Sequence, residues 1–129
     1  MLTFKFGKLV RDKIVAQQQA SGAQPKYRQL NHEEHKTALI AKIIEEAQEI
    51  LQAEPGAVAA EIADVQQAID DLIEKLKLTV EEVKLAQEAK HDKNGGFADG
   101  TYIEHVAVDE NDPWVAYYEQ NSERYPRVD

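Results

Sequence analysis

The chain has no cysteine. That excludes a disulfide framework, a zinc–thiolate site and a thiol nucleophile. Positive charge is scarce too: 15 lysines and arginines stand against 24 aspartates and glutamates, a formal net charge of −9. A non-specific nucleic-acid binder needs a basic face for phosphates, so the charge argues against that class. A small nucleotide remains open as a substrate, because a metal and a few local cations can meet its phosphates. No apolar run approaches the roughly 20 residues that span a bilayer, and no secretory leader is evident, so no membrane role is read and a cytoplasmic setting is expected. Repeats and low-complexity stretches are absent. The expectation is one soluble domain over residues 1–129, with a core at about 8–97 and an extension over 98–129.

What the chain has is acid in a pattern. Glu45-Glu46-x-x-Glu49 is followed, after eleven intervening residues, by Glu61-x-x-Asp64. Spacings of three and four bring helical side chains onto one face. Opposite the first motif lie Leu39, Ile40, Ile43, Ile44, Ala47, Ile50 and Leu51, with Glu46 at the border. In the second segment Val58, Ile62, Val65, Ala68, Ile69, Leu72, Ile73 and Leu76 form one apolar stripe. Glu61 falls inside it and Asp64 at its edge. An ionised carboxylate in an apolar stripe is costly unless compensated, and no lysine or arginine lies one turn away on that face. A divalent cation shared between facing helices would compensate it. Magnesium suits such oxygen ligands, with manganese as a substitute. Taken alone, E-x-x-E is equally at home on a solvated helix face.

Three stretches in order carry a resemblance. They are Lys8-Leu9-Val10-Arg11-Asp12-Lys13-Ile14, the two acidic motifs, and Lys90-x-x-Lys93-Asn94-Gly95-Gly96-Phe97. Together they resemble the MazG-like all-α nucleoside triphosphate pyrophosphohydrolases, in particular the phosphoribosyl-ATP pyrophosphohydrolase-like branch. Asn94 stands where that pattern more often has a basic residue. The resemblance implies an antiparallel four-helix-bundle-like core. It also implies a magnesium-dependent cleavage between the α and β phosphates of a nucleoside triphosphate or related nucleotide, giving monophosphate and pyrophosphate in a house-cleaning role. Glu46, Glu49, Glu61 and Asp64 would be the metal ligands, and Glu45 would orient or deprotonate the attacking water. Lys90, Lys93 and Asn94, with Arg11 and Lys8, would contact substrate phosphates. A homo-oligomer, dimer or tetramer, is implied as well.

In chain order, Leu2, Phe4 and Phe6 alternate with polar residues and predict a short strand. The β-prone residues 102–108 could pair with it as a small two-stranded ribbon. A first helix is expected over 8–20, where Lys8, Arg11 and Lys13 could equally be a solvated basic face. Asn31 with Glu34 reads as a capping box opening a helix over 32–53. His32 and His35 lie in its first turn, a weak alternative metal pair. Pro55 opens a helix over 55–77 that is antiparallel to it, because the connection is short. Thr79 and Glu82 cap a further helix ending at Gly95-Gly96, with Val83, Ala86 and Lys90 expected on its inner side. Asp112-Pro113 starts a short helix whose Trp114, Tyr117 and Tyr118 are expected to dock on the body or a neighbouring subunit. Asp71 is expected at the surface or at the edge of the pocket. A di-iron protein would need two E-x-x-H motifs, and only Glu88 to His91 fits. A non-catalytic helical module that keeps the acidic motifs is the other alternative.

Overall fold

A computed structural model describes residues 1–129 and contains five helices and no strand. They are α1 (Ile14–Ala20), α2 (His32–Gln52), α3 (Val58–Lys75), α4 (Val80–Asn94) and α5 (Trp114–Gln120), with a 3-10 turn over Pro55–Ala57 before α3. The chain divides into two compact units, Met1–Lys93 and Asn94–Asp129.

The first unit is built on the pairing of α2 with α3. The capping box forms as the sequence predicts. Glu34 N–H donates to Asn31 Oδ1 at 2.9 Å, and Asn31 N–H donates to Glu34 Oε1 at 3.3 Å. Arg28 adds a two-pronged contact to the Glu34 carboxylate, at 2.8 and 3.2 Å. Between the long helices the chain turns in five residues, with Pro55 supplying the first 3-10 position. So short a link makes the helices antiparallel neighbours. Their packing is that of a bundle, yet only Leu39, Ala68 and Ile73 are buried.

The end of α3 is a Schellman turn: Leu78 N–H donates to Ile73 O, and Lys77 N–H to Glu74 O, both at 3.0 Å. Lys77 takes the left-handed position, at φ 58°, that glycine usually fills. Thr79 and Glu82 then cap α4 reciprocally, at 3.0 and 3.1 Å. Every residue of α4 is exposed, so the side expected to face inward with Val83, Ala86 and Lys90 is not buried, although Val83 borders α3. The groove beside it is lined by Ile69 and Ile73 of α3 and by Val80 and Val83.

Two expectations need correction. No ribbon forms, and residues 2–6 and 102–108 have no regular structure and are exposed. Two strands alone are marginal without a surface to pack on, and alternation of apolar residues does not supply one. The first helix begins at Ile14, not Lys8, so residues 8–12 are not helical. Lys8 and Arg11 instead reach carboxylates of the long helices.

In the second unit, Asp112 Oδ1 accepts from Trp114 N–H at 2.8 Å and opens α5. Trp114, Tyr117, Tyr118 and Tyr125 pack on one another, with ring centroids 5.2 to 6.1 Å apart. The aromatic side chains touch one another but none is buried.

Candidate metal centre

The heptad-like spacing of the long helices decides which carboxylates meet. On α2 the series Leu39, Ile43, Glu46, Ile50 runs in steps of four, three and four. On α3, Glu61, Val65, Ala68 and Leu72 do the same. Such series form the seam between paired helices, so Glu46 and Glu61 lie where a packed apolar side chain would normally sit. Asp64, one turn beyond Glu61, joins them. One oxygen each from Glu46, Glu61 and Asp64 lies within 4.8 Å of the other two.

Cations ring this group unevenly. Lys42, whose side chain is only 19% exposed, bridges Glu45 at 3.2 Å and Glu46 at 3.1 Å. Lys8 Nζ donates to the other Glu45 oxygen at 3.2 Å, and Arg11 Nη2 to Asp64 Oδ1 at 2.6 Å. Burial pushes the Glu45 carboxyl up, but the hydrogen bonds from Lys8 and Lys42 outweigh it and hold it below its ordinary range. Burial likewise works against the Lys42 charge, and Glu46 and Glu45 more than offset it. Glu61 has no cation. Desolvation, then the negative charges of Asp64, Glu46 and Glu49, push its carboxyl upward.

The donor set fits a hard divalent ion. Three carboxylate oxygens converge, one of them on a side chain that no protein cation neutralises, and magnesium completes its shell with water.

Of the four expected ligands, the trio is gathered, while Glu49 stands outside it, exposed, yet close enough to act on Glu61. Glu45 lies beside the group in ion pairs. Lys90, Lys93 and Asn94 are exposed on α4 and form no ion pair or side-chain hydrogen bond. Asp71 is a surface residue that accepts from Gln67 at 3.3 Å. His32 and His35 are not among the converging groups. Sequence reasoning missed Lys42 as a partner, although its i+3 and i+4 spacing to Glu45 and Glu46 was the signal. No helix is long and apolar enough to cross a membrane. Set against family models, curated proteins and solved structures, the chain shows no match.

Proposed function

We propose that this protein is a magnesium-dependent nucleotide pyrophosphohydrolase of the MazG-like kind, with manganese as a substitute ion. It would cleave a nucleoside triphosphate or related nucleotide between the α and β phosphates, in a cytoplasmic house-cleaning role. The observation that carries the reading is the convergence of Glu46, Glu61 and Asp64 on a helix seam, with Glu61 uncompensated. Those three residues, with Glu49 adjoining, would hold the ion. When bound, it neutralises charge developing on phosphoryl oxygens and makes a nearby water more acidic. Glu45, kept ionised by Lys8 and Lys42, would orient that water by accepting a hydrogen bond, while its lowered pKa makes it a weak acceptor for the proton itself. Arg11, Lys90, Lys93 and Asn94 would be the donors to phosphates, with Lys8 committed to Glu45.

A second copy of the chain is the expected partner, as dimer or tetramer. α2 carries a second series, Ile40, Ile44, Ala47 and Leu51, again in steps of four, three and four, and all four are exposed. Ile62 of α3 is exposed as well. The whole chain exposes 11793 Å², where a self-contained monomer of its mass exposes about 6,900 Å². Pairing two α2–α3 hairpins through these faces would complete a four-helix bundle.

The alternative is a helical module that keeps the acidic motif without turnover. It is favoured by the ion pairs of Arg11 and Lys8, which already neutralise Asp64 and Glu45. Incubating a panel of nucleoside triphosphates with and without magnesium separates the two. Magnesium-dependent release of pyrophosphate and monophosphate supports the enzyme. Release of orthophosphate instead places cleavage at the outer bond and rejects the family reading, and no turnover of any nucleotide supports the module.

A further inference from the structure

The Arg11–Asp64 pair joins two elements of different character. Asp64 is fixed on α3, whereas Arg11 lies in residues 8–12, a non-helical stretch that follows Gly7, whose φ is +59°. Its side chain is 56% exposed and its single ion pair is at 2.6 Å. Lys42, by contrast, is largely buried and anchored on the same helix as both its partners. One of the cations serving the carboxylate group is therefore built in, whereas the Arg11 side chain has a single partner, a converging carboxylate, although its backbone carbonyl accepts from Ile14 N–H at 3.1 Å. An exposed ion pair of this kind is weak, while a divalent ion placed among three carboxylates interacts with all of them at once.

We propose that Arg11 is a displaceable counter-ion: it occupies Asp64 in the metal-free protein, yields that carboxylate when the ion enters, and is then free to contact an anionic phosphate. This rests on the metal reading above. The handover couples the two binding events. The guanidinium, a planar fork of donors suited to phosphate oxygens, becomes available only once the ion is in place. Lys8, paired with Glu45 rather than with the trio, stays where it is and keeps that carboxylate oriented.

Magnesium titrated calorimetrically into the wild type, Arg11→Ala and Arg11→Lys tests this. Removing the competing cation should tighten magnesium binding about two- to fivefold, the worth of one exposed ion pair. Arg11→Lys, which keeps the charge, should stay near the wild type. With magnesium in excess, inorganic triphosphate should bind Arg11→Ala about tenfold more weakly than wild type, since a charge-assisted hydrogen-bond pair is lost. In the wild type itself, the Arg11 side-chain N–H resonance should move along the magnesium titration with the calorimetric midpoint, a readout that needs no variant to fold. Magnesium binding that is unchanged or weaker in Arg11→Ala overturns the handover and leaves the metal site standing. So does undiminished triphosphate binding, or an Arg11 resonance indifferent to magnesium. A wild type that binds no magnesium rejects the metal reading and the handover together.

Discussion

Glu61 occupies a seam position that packing alone would give to leucine or valine, and it lacks the cation that Glu45, Glu46 and Asp64 each have. Its folded-state pKa is raised above the ordinary value of 4.5 by desolvation and by neighbouring negative charge. The sign follows from linkage. Its contribution to stability is full below the unfolded value and is lost as pH rises through the raised folded value. Metal-free protein should therefore lose stability on this account between mildly acidic pH and pH 8. Glu61→Gln removes the titration and should melt at or above wild type at pH 8, with a flatter profile in thermal melts across that range. A variant that melts well below wild type at pH 8 would mean that Glu61 is structurally paired. Glu45 behaves oppositely: its lowered pKa gives stability above its unfolded value that is lost as pH falls. At the far end of α3, Lys77 holds a left-handed φ of 58°. Lys77→Gly should raise stability by about 1 kcal/mol in urea melts, because glycine adopts that conformation without a Cβ clash.

Among the elements, the helix starts were legible because capping is local chemistry. Asn31 with Glu34, and Thr79 with Glu82, announce their hydrogen bonds within four residues, and both boxes form. Asn31→Ala should cost about 1 kcal/mol of stability, read by chemical denaturation; no change would mean that Arg28 and Glu34 alone secure the start of α2. The acidic convergence was legible for the same reason of periodicity, since Glu46, Glu61 and Asp64 follow from the spacing and the short link. What residues 8–12 do was not. Their sequence is compatible with a helix, and the partners of Lys8 and Arg11, Glu45 and Asp64, lie 37 and 53 residues away, beyond what local pattern reveals. The strand expected at residues 2–6 failed similarly, because alternation describes a strand's faces but not whether a partner exists. In α4 the apolar residues are too few to define a buried face, so its inner side could not be told from its sequence.

At the scale of the molecule, an isolated chain leaves too much apolar surface for its three buried residues to organise. Ile40, Ile44 and Leu51 make a seam with no partner in the chain. Sedimentation should find a dimer or larger assembly, and Ile44→Glu should shift it toward monomer by placing a charge in the interface centre; a monomeric wild type would contradict this. The carboxylate trio belongs to one α2–α3 pair, so a monomeric variant should still bind the ion. The proposed hydrolysis depends on that ion. Magnesium titrated calorimetrically into the metal-free protein should give a saturable heat, weakened tenfold or more by Glu61→Gln and by Asp64→Asn, each checked for native helicity by circular dichroism. Binding that both variants retain at wild-type strength would contradict the metal centre and, with it, the hydrolase.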